Sequence, residues 1–343
     1  MDAPHRVASI EDVARRAGVS IATVSRALRG LPDVAASTRD RVLTAAAELN
    51  YVASPFAARL ASGRTATVGV VVPFVNRWFF AEVIATVESA LRLAGFDLLL
   101  YNLGDETGRS RFFDVMPMRK RVDAVLVVSL VLTDEEFAAL ATLDCPVGLL
   151  GIERDGVVST RIDDIAAARL AVEHLLALGH RRIGLVGGDT DDPMRFTPPL
   201  FRREGYGDAL REAGIEPDPQ LERLGYFTVD GGTAAAEQLL GLAQPPTAIF
   251  AEADEMAFGV LRAIRRAGLR VPEDVAVIGF DDQANAALMD LSTVHQPVAE
   301  QALDVTTRLL AVLASGGDAE PATVVLPTEV VVRGSTEAAR SVN

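Results

Sequence analysis

A short segment near the start of the chain combines the residue types that a helix uses to read DNA. Within residues 12–28, Gly18 separates two helical patterns, and small polar side chains begin the second. The candidate contact residues there are Ser20, Ile21, Ala22, Thr23, Ser25 and Arg26. Hydroxyls and helix-end amides bind phosphate oxygens, arginine can donate two hydrogen bonds to guanine, and apolar groups contact thymine methyls. The segment predicts a recognition helix for the major groove. The alternative is a capped surface helix in a small protein-interaction bundle.

Three short helices are predicted to hold this segment in place. Ser9 and Asp12 have the spacing of a capping box, which begins a first helix, and Ser20 can cap the second. A third helix is expected from near Ser37 or Thr38. Apolar residues recur at helical spacing in all three, and a glycine turn joins the first two. This pattern is typical of a helix-turn-helix bundle.

The charge of the chain is divided unevenly. The 343 residues carry a formal net charge of −14, but residues 1–64 hold nine arginines against six acidic residues. The remaining residues hold 24 basic and 41 acidic side chains. A basic head on an acidic body indicates a small anion-binding module attached to a body that avoids polyanions. A chance distribution is the alternative, because the excess in the head is mild.

Several classes of protein are excluded by composition. A single cysteine, Cys145, rules out a disulfide framework and a thiolate metal cage. The longest apolar run, Ala124–Leu132, is too short to span a bilayer, and the first residues lack the apolar segment of a secretory signal. We therefore expect a soluble, cytoplasmic protein with no membrane partner.

From Thr67 onward, apolar strand patterns alternate with amphipathic helix patterns. Continuous apolar strands separated by helices predict an α/β fold with doubly wound parallel sheets. The length of the region favours two such units, with a single barrel as the competing topology. The first unit is expected to end near Asp163 and the second near Val294. The helix at 300–313 and the strand at 323–326 would return to the first unit.

The motifs of common cofactor and catalytic sites are missing from the sequence. The glycines of 184–188 do not form a dinucleotide fingerprint, and no Walker loop follows a strand. The aspartates of 189–192 lack the spacing of a metal loop, and the four histidines form no i,i+4 pair. We expect no catalysis, no metal and no cofactor.

The segment 9–65 resembles the headpiece of the lactose-repressor/galactose-repressor (LacI/GalR) family, including Thr38–Val42 and Glu48–Tyr51. The resemblance implies phosphate contacts at Thr38 and Tyr51. It also implies a hinge that becomes helical on operator DNA, with Leu60 wedged into the minor groove at a central CG step and Ala57 beside it. Core packing is the alternative role of Leu60. The chain departs from the family at Ala53-Ser54, where Pro-Asn is usual.

The body resembles the sugar-binding-protein type of effector domain, which is periplasmic-binding-protein-like. The resemblance rests on 175–183, 271–282 and Gln296-Pro297, and it implies a ligand cleft between two subdomains. The implied effector-binding residues are Trp78, Phe80, Asp163, Arg202, Phe227, Asp254 and Asp281. Carboxylates accept from ligand hydroxyls, arginine donates, and an aromatic face covers an apolar side. Helix capping is the alternative role for each aspartate, and plain packing for Trp78.

Two departures from the family affect this cleft. Ala253 replaces an expected asparagine, and Phe74 and Arg77-Trp78 stand where an aspartate and Asn-Pro are usual. The cleft should therefore be more aromatic and more cationic than is common. An acidic or phosphorylated sugar near Arg77, Arg195 or Arg202 is a hypothesis.

The sequence thus predicts a multidomain chain. Its parts are a helix-turn-helix headpiece (1–53), a hinge (54–65), an effector N-subdomain (66–165 and 296–326), a C-subdomain (166–295 and 327–335) and a disordered tail (336–343).

The function predicted for this organisation is that of a ligand-responsive bacterial transcriptional regulator, a repressor that binds a palindromic operator as a homodimer. A small sugar or sugar derivative would change its affinity for DNA. Activation at some promoters is an alternative mode of regulation. The other function classes left open are a solute-binding receptor without DNA function and a doubly wound α/β enzyme.

Overall fold

The computed structural model describes residues 8–28, 30–51, 64–316 and 322–337. The chain divides into two compact units, with the boundary between Ala66 and Thr67. In the described residues, no helix combines the length and apolar character needed to cross a membrane.

The first unit is a bundle of helices α1 (Ile10–Ala17), α2 (Ile21–Leu28) and α3 (Ala36–Glu48). The capping box of α1 is confirmed, because Ser9 Oγ accepts from the Asp12 amide at 3.2 Å and Asp12 Oδ2 accepts from the Ser9 amide at 3.0 Å. Gly18 ends this helix with a left-handed backbone, φ 67°. Helix α3 begins before the expected Ser37 or Thr38 and has no side-chain cap.

The core of this unit comes from one face of each helix. Val13, Val24 and Val42 are fully shielded from solvent where the three helices meet. An ion pair of 2.6 Å between Arg16 Nη2 and Glu48 Oε2 joins α1 to α3 at the surface. Since Val24 and Ala27 of α2 point inward, the opposite face of this helix is left for other contacts.

The second unit contains two six-stranded sheets. Its strands are β1 (Thr67–Val72), β2 (Asp97–Asn102), β3 (Ala124–Val128), β4 (Val147–Leu150), β5 (Val158–Arg161), β6 (Ile183–Gly187), β7 (Glu222–Leu224), β8 (Ala248–Ala251), β9 (Ala276–Asp281), β10 (Ser292–His295), β11 (Thr323–Val325) and β12 (Glu329–Val331). Its helices are α4 (Trp78–Leu93), α5 (Glu106–Val115), α6 (Asp134–Ala141), α7 (Asp164–Ala177), α8 (Pro198–Glu212), α9 (Val229–Leu240), α10 (Asp254–Arg266), α11 (Ala284–Leu288) and α12 (Val298–Ser315).

The strand orders are β11-β5-β4-β3-β1-β2 and β12-β10-β9-β8-β6-β7. All pairs are parallel except β10 with β12. The prediction of two doubly wound parallel sheets is confirmed, and the single-barrel alternative is wrong. We call the first sheet with α4, α5, α6 and α12 the first subdomain, and the second sheet with α7 to α11 the second subdomain.

Helices cover both faces of each sheet. Val70 and Leu126 pack with α4 and α12, whereas Val71 and Val125 pack with α5 and α6 on the opposite face. In the second sheet, α9 and α10 cover one face and α7 and α8 the other. Strands buried on both faces must be apolar throughout, which explains why their sequences read as continuous hydrophobic runs.

The chain crosses between the two subdomains three times, after β5, β10 and β11. After the second crossing, α12 packs against β3, β4 and β5, and β11 then pairs in parallel with β5. The end of the chain differs from the prediction of a tail that begins at residue 336. Thr336 is buried, and its hydroxyl lies 2.7 Å from Ser292 Oγ and 2.9 Å from His174 Nε2.

Helices α9 and α10 cross at two glycines, Gly232 and Gly259. A Cβ on Gly259 would lie 2.1 Å from the Val229 carbonyl oxygen. Backbone at this distance cannot move aside cheaply, so Gly259→Ala should lower the free energy of unfolding by about 1–3 kcal/mol. Gly207→Ala is the matched control, because a Cβ there meets only the end of the flexible Arg211 side chain, at 3.1 Å. Chemical denaturation of both variants checks this, and equal stabilities would contradict it.

Candidate functional sites

One face of α2 is available for contact. Ser20, Ile21, Ala22 and Arg26 are exposed, and Ile21 keeps 46% of its surface. Val24, on the opposite face, is fully buried in the bundle core. An exposed isoleucine beside polar groups and an arginine can contact base edges, including the methyl group of thymine.

The N-terminus of α2 has the geometry of a phosphate contact. Ser20 Oγ accepts from the Thr23 amide at 3.2 Å and lies 2.9 Å from Thr23 Oγ1. The amides of Ile21 and Ala22 belong to the first turn and have no intrahelical acceptor. A phosphate oxygen placed here would meet these donors and the positive end of the helix dipole.

The other predicted DNA contacts differ in what the structure says of them. Ser25 and Thr38 are half-buried, and Tyr51 packs against the bundle core with part of its ring accessible. The predicted minor-groove residues Ala57 and Leu60 lie outside the described residues, so their role stays a prediction.

A small cavity lies between the two subdomains. Its volume is about 30 Å³, room for one or two water molecules. Its lining consists of Arg77, Phe79, Phe80, Ser129, Gly151, Ile162, Asp164, Phe196, Pro198, Arg202, Phe227, Glu255, Asp281, Gln296 and Gln301. Many of these residues lie at or just beyond the carboxyl end of a strand: Ser129 follows β3, Gly151 follows β4, and Asp281 ends β9. Parallel sheets characteristically bind ligands at this edge.

Arg202 is fixed inside the cavity by several contacts. Its Nε lies 2.8 Å from Asp164 Oδ1, and its Nη1 donates to the Glu252 carbonyl at 2.5 Å. The guanidinium carbon lies 3.6 Å from the centre of the Phe280 ring. Burial raises the pKa of Asp164, and the charge of Arg202 opposes that shift. The arrangement offers a cation and a carboxylate to a polar ligand at one fixed geometry.

Two predicted aspartates do not lie on this cavity. Asp163 is exposed and caps α7, since its side chain accepts from the Ala166 amide at 3.0 Å; Asp164 is the residue that faces the cavity. Asp254 is fully buried behind the site, where it accepts from Thr293 Oγ1 at 2.7 Å and from the Gln283 amide at 3.0 Å. One oxygen of Asp163 and both oxygens of Asp254 accept these hydrogen bonds, and neither residue lines the cavity, so their contact with an effector stays a prediction.

Asp281 lies on the cavity as expected. It is 4% exposed and accepts a hydrogen bond from Gln296 Nε2. Burial raises its pKa well above the usual range. Its backbone has φ 114°, a value rare for a residue with a side chain, and such strain is retained where the surrounding structure requires it.

Aromatic rings bridge the cavity. Phe80 of the first subdomain lies 5.9 Å from Phe196 of the second, and Phe196 lies 5.4 Å from Phe227, between ring centres. Trp78, which was expected to stack on a ligand, does not line the cavity. It is half-buried at the start of α4, and its amide donates to Glu255 Oε1 at 3.0 Å.

The loop that carries Phe196 also packs into the first subdomain. Met194 is buried in the apolar core there, and Arg109 Nη1 donates to its carbonyl. Arg109 in turn forms an ion pair with Glu136 at 2.7 Å. Sequence reasoning missed Phe196, because this loop has no periodic pattern. It also missed Glu255, Gln296 and Gln301, which resemble ordinary polar residues of helix starts and loops.

The buried carboxyl of Glu252, close to the cavity, should make the free energy of unfolding depend on pH. Glu252 is 1% exposed, accepts from the Gly188 amide at 2.9 Å, and burial raises its pKa to about 8. Because the folded protein holds this proton more tightly than the unfolded chain does, the stabilisation is complete below about pH 4.5 and is lost as the pH rises to about 8.

Glu252→Gln should therefore stabilise the protein at high pH. The amide keeps an acceptor for Gly188 and carries no charge, so the gain over the unsubstituted protein should be at least about 2 kcal/mol greater at pH 8.5 than at pH 4.5. Melting curves at the two pH values measure this. Glu216→Gln, at an exposed position, should show no such difference. A gain for Glu252→Gln that does not change with pH would contradict the prediction.

Comparisons with known proteins identify the family of the chain. Residues 9–54 match the family model of bacterial regulatory proteins of the lacI family, and residues 172–336 match that of periplasmic binding protein-like domains. The HTH-type transcriptional repressor CytR of Escherichia coli is 34% identical over 335 residues, which are 96% of this chain and 97% of CytR.

Two solved structures are similar over nearly the whole chain. The Lac repressor dimer bound to operator and the anti-inducer ONPF is 28% identical, with a TM-score of 0.85, over 97% of this chain and 100% of that one. A complex of the transcriptional regulator CelR with cellobiose is 34% identical, with a TM-score of 0.70, over 96% and 99%. These relatives are transcriptional regulators, which sets aside the receptor and enzyme alternatives. The chain therefore belongs to the lacI family of bacterial regulatory proteins and is a DNA-binding transcriptional regulator.

Proposed function

We propose that this regulator is a cytoplasmic repressor that binds a palindromic operator as a homodimer, and that a small sugar-like effector between its subdomains changes its affinity for DNA. The observation that carries the proposal is the cavity between the two subdomains, where an arginine, carboxylates and aromatic rings from separate helices and loops converge. A ligand held there contacts both subdomains at once.

The first unit supports the DNA half of the proposal. The exposed face of α2 combines Ile21 and Arg26 with a phosphate-binding helix start. A bundle of this size reads only a few base pairs, so two copies related by a two-fold axis would give adequate affinity and would require a palindrome. The solved Lac repressor is a dimer on its operator, which supports the same arrangement here.

The cavity supports the effector half. Asp281 and Asp164 can accept from hydroxyl groups, Arg202 can donate, and the Phe227 ring can cover an apolar face of a ligand. The relative CelR was solved with cellobiose, which supports a sugar-like ligand. Because the free volume is so small, the subdomains must separate before a sugar ring can enter.

In the proposed mechanism, the effector shifts the population between two relative orientations of the subdomains. The effector stabilises the subdomain orientation that it fits, and it changes DNA binding only as far as its affinity differs between the two orientations. The three crossings are the segments that must absorb the rotation, as in other hinged domains.

Selection from a random pool of duplexes tests the proposed function. The full chain should enrich a symmetric site with a central CG step, and its affinity should fall steeply with salt because several phosphates are neutralised. Leu60→Ala should weaken binding to that site. Failure to enrich any symmetric sequence, with and without a panel of sugars, would contradict the proposal. Full affinity of Leu60→Ala for the selected site would contradict the prediction that Leu60 is wedged into the minor groove.

Variants of α2 should separate base reading from phosphate contact. Ile21→Thr should change the preferred base at one position of each half-site by about tenfold, within the range expected for single base-pair contacts. Thr23→Ala should weaken all sites by a similar factor, because it removes a phosphate-side hydroxyl. The matched control is Thr44→Ala, on the exposed surface of α3. Unchanged base preference in Ile21→Thr would remove Ile21 from the readout.

A further inference from the structure

Arg77 occupies an unusual position at the start of α4. Its guanidinium carbon lies 4.0 Å from the centre of the Phe74 ring, 4.9 Å from Phe227 and 5.3 Å from Phe196. Phe74 belongs to the first subdomain and the other two rings to the second. The cation therefore lies among three aromatic faces that both subdomains supply, and attraction to the rings holds it beside the cavity.

The half-buried Arg77 forms no hydrogen bond or ion pair among the described residues, although the carboxylates of Asp192 and Glu255 act on its charge. Its Nη1 is shielded from solvent and makes no hydrogen bond. The buried arginines of this unit are both paired: Arg202 contacts Asp164 and Arg109 contacts Glu136. Buried cations in proteins are normally paired, so a desolvated guanidinium with an open donor indicates a missing acceptor.

A second group at the same cavity also lacks a partner. Gln301 of α12 is 1% exposed, lines the cavity, and its Nε2 makes no hydrogen bond within the described residues. The first turn of α4 adds further donors, because the amides of Phe79 and Phe80 have no acceptor within the helix. Donors from a side-chain cation, a side-chain amide and a helix N-terminus thus converge on one small volume.

The protein places one of its own carboxylates at this helix end. Glu255, from α10 of the second subdomain, accepts from the Trp78 amide at 3.0 Å. The other cavity carboxyls are engaged elsewhere, Asp164 with Arg202 and Asp281 with Gln296. Burial raises the pKa of Glu255, and the hydrogen bond from the Trp78 amide and the charge of Arg77 oppose that shift.

We infer that Arg77, Gln301 and the N-terminus of α4 form an anion subsite, and that the effector carries an anionic oxygen group, a carboxylate or a phosphate, on a sugar-sized body. The anionic group takes the place of the Glu255 carboxylate and gives Arg77 Nη1 its acceptor. This inference rests on the proposed function, because it assumes that the effector binds in this cavity.

The fluorescence of Trp78 provides a direct measurement of ligand binding beside the proposed subsite. It is the only tryptophan in the chain, and it follows Arg77 in sequence. Its fluorescence can be titrated with matched sets at constant ionic strength: neutral hexoses and pentoses, their phosphates, their uronic acids, and inorganic phosphate. At least one phosphorylated or carboxylated sugar should bind tenfold or more tightly than its neutral parent. Comparison of phosphates with uronic acids identifies which anionic group the subsite takes.

Two variants should change the ratio of the affinity for the acidic sugar to the affinity for its neutral parent in opposite directions. Arg77→Asn should weaken the acidic sugar at least tenfold and the neutral parent less than twofold. Glu255→Gln keeps an acceptor for the Trp78 amide but removes the competing charge, so it should tighten the acidic sugar. The matched control is Arg92→Asn, which removes an exposed arginine from the same helix and should change neither affinity.

The outcomes that overturn this inference are separate from those that overturn the proposed function. Neutral sugars that bind as tightly as their acidic counterparts, or an unchanged ratio in Arg77→Asn, would overturn the anion subsite. Absence of binding by every acidic probe would do the same. In each of these cases, selection of a symmetric operator by the full chain, together with release of that operator on addition of a neutral sugar, would still support the proposed function.

Discussion

Parallel strand pairing is the constraint on which the effector cavity depends. In a parallel sheet every strand points the same way, so the loops that follow the strands all emerge at one edge. Apart from the antiparallel strand β12, both sheets of the second unit obey this rule, and their carboxyl edges contribute to the same cavity from opposite sides. Residues as distant in sequence as Ser129 and Asp281 meet there because each ends or follows a strand.

The chain passes three times between the subdomains that enclose this cavity. The crossings divide the chain so that α12 and β11 belong to the first subdomain although they follow the second. Each subdomain is therefore built from segments that are distant in sequence. Contacts that span the boundary, such as that of Arg109 with the Met194 carbonyl, stabilise the closed arrangement. An effector acts by competing with or adding to these contacts.

The two arginines at the cavity, Arg202 and Arg77, differ in the partners that hold them. Arg202 is surrounded by Asp164, the Glu252 carbonyl and the Phe280 ring, so its geometry is fixed before any ligand arrives. Arg77 lies against aromatic faces, which attract a cation without satisfying its hydrogen bonds, and Asp192 and Glu255 act on its charge. Phe74 and Arg77, which both depart from the family pattern, are thus in contact with each other.

The sequence by itself determined the features that depend on near neighbours in the chain. The capping box of Ser9 and Asp12, the glycine stop at Gly18 and the alternation of apolar strands with helices all follow from local spacing, and the structure contains each of them. Short or partly polar elements such as β7 and β12 were not predicted, since three residues carry too little pattern.

Only the tertiary structure decided which of two adjacent aspartates faces the cavity. Asp163 and Asp164 are alike in sequence, but the cap of α7 uses the first and Arg202 pairs with the second. The same holds for Asp254 and Glu255, which are adjacent in the sequence and lie in different environments. Their roles depend on partners far along the chain, such as Thr293 and Trp78, and local spacing carries no information about which distant groups a folded backbone brings within hydrogen-bond distance.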